Sequence, residues 1–148
     1  MRLPALAAAL ALAVSLSSCA EDEYLYVDKA WVRLPAVPGN PGAAYFTIHG
    51  GPDDETLLSV SSPIAIRTEI HESMSAGGTM SMKPVESVAV PAKSKVEFKP
   101  GGMHVMLFDL RRNVKAGDVV RLDFTFASGR QIYIEPRAQA AGDTQPAH

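Results

Sequence analysis

Methionine and histidine are concentrated in the middle of this 148-residue chain. Five of its six methionines fall between Met74 and Met106, and two of its four histidines, His71 and His104, lie within or just before that window. In a β-strand, residues i and i+2 share a face about 7 Å apart, so the imidazole of His104 and the thioether of Met106 project side by side. Imidazole and thioether together indicate a binding site for a soft metal ion.

The residue types restrict which metal this site can bind. Ca²⁺ and Mg²⁺ require oxygen ligands, and zinc sites are built from cysteine, histidine and carboxylate rather than methionine. Imidazole combined with thioether favours Cu(I), a soft closed-shell ion. A blue-copper electron carrier needs a cysteine thiolate, but the single cysteine, Cys19, lies in the N-terminal segment. We therefore expect a site for reduced copper that does not serve as a blue-copper electron carrier.

The N-terminal segment predicts export and a lipid anchor. Residues 1–18 combine a basic start, a short Ala/Leu/Val run and small residues before Cys19, which is typical of a bacterial lipoprotein signal peptide. The apolar run is shorter than the roughly 20 residues that span a bilayer. We expect Cys19 to be lipidated, residues 19–26 to form a tether, and the protein to be held in the periplasm at a cell membrane. An ordinary signal peptide with an incidental cysteine is the alternative.

Short alternating apolar runs, separated by glycine and proline turns, make up the rest of the chain. The candidate strands are Val27–Arg33, Ala43–His49, Thr56–Val60, Ile64–His71, Met80–Val90, Lys95–Lys99, His104–Leu110, Val119–Ala127 and Gln131–Glu135. No long segment has a helical period, so the pattern predicts one all-β domain, an antiparallel Greek-key sandwich over residues 27–137. The Ala/Gly/Gln/Pro-rich residues 138–148 are expected to form a disordered tail.

The strand pattern also predicts where the candidate ligands lie. His71 ends one strand just before a Gly-Gly turn and Met82 lies in the next strand, so a hairpin would bring the two side chains near each other. A Pro-Gly-Gly turn places His104 close to a strand start. Met103 precedes His104 and should face the core on the opposite side of the strand, so we do not expect it to bind metal.

The composition excludes several classes of function. With 14 basic and 16 acidic residues the net charge is −2, without the positive excess of a nucleic-acid-binding protein. A single cysteine excludes an intramolecular disulfide and a Cys-x-x-Cys redox pair. No Ser/His/Asp spacing and no phosphate-binding loop stands out. We therefore expect a monomeric protein that is not an enzyme and that contacts the membrane only through its lipid anchor.

The spacing of four of these residues resembles that of a known family. His71 is followed after ten residues by Met82, after a further twenty-one by His104, and after one more by Met106. This His-x10-Met-x21-His-x-Met pattern resembles the signature of the PCuAC-type periplasmic copper chaperones. The other segments that resemble the family are Ala30–Arg33, Ala43–Ile48, Glu69–His71 and Pro100–Met106.

The resemblance implies a fold, a cargo and partners. It extends over roughly residues 28–135 and implies a cupredoxin-like β-barrel that binds one Cu(I) near its surface through these four residues. It also implies delivery of the ion to the copper centres of respiratory oxidases, especially the dinuclear centre of cytochrome c oxidase, often alongside thioredoxin-fold copper proteins. The chain departs from the family at Met103, where a glycine or a similar small residue is expected.

Two other functions remain open from the sequence. One is a copper-sequestering protein without a dedicated recipient, and the other is a β-sandwich lipoprotein that binds no metal and serves as an interaction module. A test of copper binding distinguishes the interaction module from a chaperone. A test of copper transfer distinguishes the copper-sequestering protein from a chaperone. A weaker second site for Cu(II) is a further expectation, for which Met74, Met80 and His148 are candidate contributors.

Overall fold

The computed structural model describes residues 24–143, and this part of the chain contains eleven strands. They are β1 (Tyr26–Arg33), β2 (Gly42–His49), β3 (Glu55–Ser61), β4 (Ala65–Ala76), β5 (Thr79–Pro84), β6 (Val88–Val90), β7 (Lys95–Phe98), β8 (Met103–Leu110), β9 (Leu122–Phe126), β10 (Gln131–Ile134) and β11 (Ala138–Gln139). The first sheet has the order β11-β1-β2-β7-β8-β4-β5, and the second has the order β10-β9-β3-β6. These strands confirm the predicted all-β sandwich.

Several predictions concern residues that lie outside the described part of the chain. The signal peptide over residues 1–18, the lipidated Cys19 and the C-terminal His148 all lie beyond residues 24–143. Within that range, no helix is long and apolar enough to cross a membrane.

The core lies between the two sheets, because alternate residues of facing strands turn their apolar side chains inward. On β8, Val105 and Leu107 are fully buried. Phe46 of β2 stacks on Phe98 with ring centroids 4.3 Å apart and meets the edge of Phe124, from the second sheet, at 4.8 Å. Aromatic pairs of this kind add about 0.5–1.5 kcal/mol to the effect of burying their area. The core therefore holds in place the strands whose outer faces carry the candidate ligands.

The single strand predicted over Met80–Val90 is wrong, because the structure divides this run between the two sheets. Strand β5 pairs with β4 in the first sheet, whereas β6 pairs with β3 in the second. Pro84 ends β5, since proline lacks the N–H that the ladder requires. The amide of Val85 then donates a 2.8 Å hydrogen bond to the carbonyl of Ile70 before the chain crosses to the other sheet.

The domain extends beyond the limits predicted from the sequence. Ala138 and Gln139, which were expected to begin a disordered tail, are buried and form β11 alongside β1. The amide of Leu34 donates a 2.9 Å hydrogen bond to the carbonyl of Gln139. At the other end, the expected tether overlaps the domain, because Leu25 is buried and β1 begins at Tyr26. Pairing with the edge strand β1 accounts for the difference at the C-terminal end.

A long hairpin extends from the first sheet. Strand β4 has 12 residues and continues beyond the core to a turn at Gly77 and Gly78, whose φ angles are 59° and 81°. Glycine adopts such left-handed conformations without a steric penalty, which closes a tight two-residue turn. Every residue of β5 is exposed. Residues 71–84, called the β4–β5 hairpin below, thus form an exposed arm. This arm carries Met82, one of the candidate ligands.

Candidate metal centre

The pairing of β4 with β8 brings both candidate histidines together. His71 lies directly opposite His104, and their ring centroids are 6.0 Å apart. Met106 lies two residues beyond His104 on β8, so its side chain is on the same face. This is the outer face of the first sheet, because the intervening Val105 is fully buried in the core.

The hairpin adds the fourth candidate ligand to that face. Met82 of β5 lies opposite Ser73 of β4, two residues beyond His71. Residues opposite each other in an antiparallel pair project to the same side, so Met82 shares the outer face with His71. Met82 is 59% exposed, in contrast to His104, which is 4% exposed. The structure therefore brings all four residues predicted from the motif onto one face.

Hydrogen bonds leave one ring nitrogen of each histidine without a partner. His104 donates from Nδ1 to the carbonyl of Gly102 at 3.0 Å, and His71 donates from Nε2 to a carboxylate oxygen of Glu69 at 2.8 Å. A carbonyl and a carboxylate only accept, so the protons are on these two nitrogens. The remaining nitrogens, Nε2 of His104 and Nδ1 of His71, are buried without a hydrogen-bond partner. Each costs about 1–3 kcal/mol unless another group uses its lone pair.

The surroundings favour the neutral form of both rings. Burial lowers the pKa of His71, and the positive charge of Arg67 lowers it further. Burial also lowers the pKa of His104; its hydrogen bond to Gly102 opposes this effect, while the charges of His71 and Arg33 add to it. A neutral imidazole retains the lone pair that a metal ion needs.

A cleft of about 380 Å³ adjoins the site. Met82, His104 and Met106 line it, together with Arg33 and Tyr45. The Tyr45 ring lies 6.4 Å from that of His104, and its hydroxyl accepts a 2.5 Å hydrogen bond from Nη2 of Arg33. Burial raises the pKa of the Tyr45 hydroxyl, against the opposing charge of Arg33. The phenol thus stays neutral and fills the wall beside the imidazole.

The other methionines of the window take different positions. Met80 shares the face of Met82 but lies two residues farther out along the hairpin. Met74 lies opposite Ser81, on the other face of the hairpin, and so points away from the four candidate ligands. Met103 packs against the core, as predicted.

Other residues of the site are not indicated by the spacing of the motif. Glu69 touches His71, and Tyr45 lies beside His104, yet neither belongs to the four-residue pattern. The alternation of β4 could have identified Glu69, since it places residues 69 and 71 on one face. Tyr45 could not be found in this way, because it comes from a distant strand.

The donor set determines what the site can hold. Among residues 24–143, no three side chains of the His, Cys, Asp and Glu types come together as a metal site. A metal held here by three or more of these side chains would use thioether sulfur as well as imidazole nitrogen. Such ligands are neutral and soft, which fits Cu(I) and does not fit the oxygen-seeking Ca²⁺ and Mg²⁺.

Comparison with protein families identifies the domain. Residues 25–136 match the LpqE-like family, described as "Putative lipoprotein LpqE-like". The protein Lxx21020 of Leifsonia xyli subsp. xyli, which carries the same lipoprotein description, is 29% identical over 104 residues. That match covers 70% of this chain and 62% of the relative, so the chain spans less than two thirds of the relative's length.

Solved structures share the fold. The copper-bound PCuAC domain from PmoF2 superposes with a TM-score of 0.65 at 19% identity, over 78% of this chain and 92% of that domain. The Cu(I) form of DR1885 from Deinococcus radiodurans gives a TM-score of 0.58 at 25% identity, over 80% of each chain. The chain therefore belongs to the LpqE-like family, and the cupredoxin-like sandwich that it shares with PCuAC domains confirms the resemblance first indicated by its motif.

Proposed function

We propose that this protein is a periplasmic copper chaperone that binds one Cu(I) through His71, Met82, His104 and Met106 and passes it to a recipient protein. The observation that carries the proposal is the pair of buried imidazole nitrogens without hydrogen-bond partners, on the same face as two thioethers. A soft cation would use both lone pairs and both sulfur atoms, and so offset the cost of leaving the nitrogens unpartnered.

The charge and exposure of this site suit a carrier rather than an enzyme. All four ligands are neutral, so the bound ion keeps its single positive charge. Met82 is exposed, which lets an incoming ligand replace its thioether without disturbing the core. A recipient with a thiolate ligand would bind Cu(I) more tightly and remove it by ligand exchange.

Location and partners are part of the same proposal. Lipidation of Cys19 would hold the domain at a membrane in the periplasm, and the lipoprotein description of the matching family supports this. The recipients would be the copper-binding subunit of a respiratory oxidase and thioredoxin-fold copper proteins. A weaker second site for Cu(II), with a contribution from His148, stays a prediction.

Anaerobic Cu(I) titration against a competing chelator tests the binding site. The wild type should bind one Cu(I). His104→Ala should weaken the affinity by more than about 100-fold and Met82→Leu by at least about tenfold, because loss of an outer-shell partner alone typically costs 10- to 100-fold. Met74→Leu is the matched control, since Met74 is in the same hairpin but on its other face. Equal affinities for all three variants and the wild type would overturn the assignment.

Transfer distinguishes a chaperone from a sequestering protein. The copper-loaded protein is mixed with the copper-free soluble domain of an oxidase copper subunit, and the two are separated and assayed for copper. A chaperone should give up its ion to the recipient domain. Copper that stays on this protein, although the recipient takes up free Cu(I), would instead identify a sequestering protein.

A further inference from the structure

Glu69 lies beside the candidate centre without belonging to its ligand set. It is two residues before His71 on the outer face of β4 and directly opposite Met106 of β8. One of its carboxylate oxygens accepts the 2.8 Å hydrogen bond from Nε2 of His71. Among the hydrogen bonds of the described residues, this is the only one that the His71 ring makes. The carboxylate therefore fixes which ring nitrogen carries the proton.

Glu69 is itself held in place from the other side. Its second carboxylate oxygen accepts a hydrogen bond from Arg67, two residues earlier on the same face. The guanidinium carbon of Arg67 lies 3.9 Å from the centroid of the Phe108 ring, which is opposite it on β8. The cation–π contact restricts Arg67, and the ion pair restricts Glu69 in turn. Three side chains in a row, Arg67, Glu69 and His71, thus support one another along the strand.

We infer that Glu69 is a positioning residue that keeps His71 in the tautomer with a protonated Nε2 and a bare Nδ1. A neutral imidazole can carry its proton on either nitrogen, and only the unprotonated nitrogen can bind a metal ion. Because a carboxylate cannot donate a hydrogen bond, it selects the Nε2–H form and turns Nδ1 into the ligand atom. The part of this inference that concerns copper affinity rests on the proposed function.

The two histidines are held by different means. His104 is fixed by a backbone carbonyl, that of Gly102, and presents the opposite nitrogen, Nε2. No side-chain substitution removes a carbonyl group, so the tautomer of His104 serves as an internal reference. The tautomer of His71 depends on a side chain, and it can be changed without altering a candidate ligand.

Two readouts on three variants test the inference. Nitrogen-15 NMR of the imidazole rings reports which nitrogen of each histidine carries the proton, and this measurement uses the full copper-free protein. Competitive Cu(I) titration gives the affinity. Glu69→Ala removes the hydrogen-bond acceptor. Glu69→Gln leaves one acceptor oxygen and one NH2 donor where the carboxylate offers acceptors to both Arg67 and His71. Glu72→Ala is the matched control, because Glu72 carries the same charge on the opposite face of the same strand and is exposed.

The expected results differ for each variant. Glu69→Ala should give His71 a mixture of tautomers, leave His104 unchanged and weaken Cu(I) binding by about 10- to 100-fold. In Glu69→Gln, Arg67 should take the single amide oxygen, so the NH2 group faces Nε2 of His71 and should shift the ring toward the Nδ1–H tautomer, with a similar loss of affinity. Glu72→Ala should match the wild type. If Glu69→Ala keeps the wild-type tautomer, or if Glu69→Gln loses the Nε2–H tautomer but keeps the wild-type affinity, the positioning role is wrong.

The two proposals fail in distinguishable ways. A wild type that binds no Cu(I) would refute the proposed function, whereas the tautomer of His71 in the copper-free protein would still test Glu69. A wild type that binds Cu(I) with a tautomer independent of Glu69 would refute the positioning role alone.

Discussion

Strands β8 and β5 each contribute to the candidate centre, but from opposite kinds of surroundings. On β8, His104 is buried and its neighbours Val105 and Leu107 are fully enclosed in the core. On β5, every residue is exposed, and Met82 contacts the site from an arm outside the sandwich. One half of the candidate site is therefore preformed by folding, and in the proposed function the other half yields to an incoming ligand.

Strand β4 connects these two regions. Ile70 faces the core and is buried, and the next residue, His71, faces outward beside His104. Farther along, the strand leaves the core and pairs with β5 alone. A carrier gains from this arrangement, since specificity requires fixed ligands and release requires an accessible one.

The largest expected effect is on the stability of the β8 side. Leu107→Ala leaves a cavity in the core and should lower the free energy of unfolding by about 2–5 kcal/mol. Met80→Ala, on the exposed arm, should change it by about 0.5 kcal/mol or less. Urea denaturation of the copper-free protein measures both values. Similar losses for the two variants would contradict the division into a core side and an exposed side.

Copper should protect the exposed arm from hydrogen exchange. Without copper, the amides of the β4–β5 hairpin are expected to exchange far faster than those of β8, because few buried contacts hold the arm. If opening of the arm breaks the copper site, free Cu(I) at about 100 times its dissociation constant slows that exchange by about 100-fold. Met82→Leu should abolish most of this protection. A wild-type hairpin whose exchange is unaffected by Cu(I) would show that Met82 is not a ligand.

Acid should weaken Cu(I) binding only modestly at first. The pKa values of His71 and His104 both lie below the ordinary histidine value of about 6.5, so both rings are neutral above that pH and protons compete with copper only below it. The affinity should therefore stay nearly level from pH 8 to about 6.5 and fall as the pH drops further. By pH 6 it should be weaker by less than about 20-fold, because each ring contributes at most about fourfold.

Competitive titration at constant ionic strength measures this profile. His49→Asn is the control, because His49 pairs with Asp28 at the far end of β2 and its removal should leave the profile unchanged. An affinity that falls steeply between pH 8 and pH 7, or one that is constant down to pH 5, would count against two neutral imidazole ligands.

Most of the fold can be predicted from the sequence, because alternation and turn residues are local signals. The run Met80–Val90 shows the limit of these signals. Its alternation continues past Pro84, but the two halves pair in different sheets, and pairing depends on distant strands. Ala138 and Gln139 form a strand only because the edge of β1 accepts them, which two residues of ordinary composition cannot indicate.

The candidate site is predictable to a similar degree. The resemblance of the His71, Met82, His104 and Met106 spacing to the family pattern indicates which four residues come together. Strand periodicity and a short hairpin relate only His71 to Met82 and His104 to Met106, and the β4–β8 pairing that joins the two pairs is seen only in the fold. The spacing does not indicate Glu69, whose contact depends on side-chain hydrogen bonding. The roles of Gly102 as acceptor and Nε2 of His104 as the bare nitrogen also follow only from the folded backbone.

X-ray absorption spectroscopy of the Cu(I)-loaded protein tests most directly whether β8 and β5 share one copper ion. The wild type should show two nitrogen and two sulfur scatterers, and Met82→Leu should show one sulfur fewer, with the histidine scattering unchanged. A wild-type copper site without sulfur, or one that is identical in Met82→Leu, would contradict the shared centre.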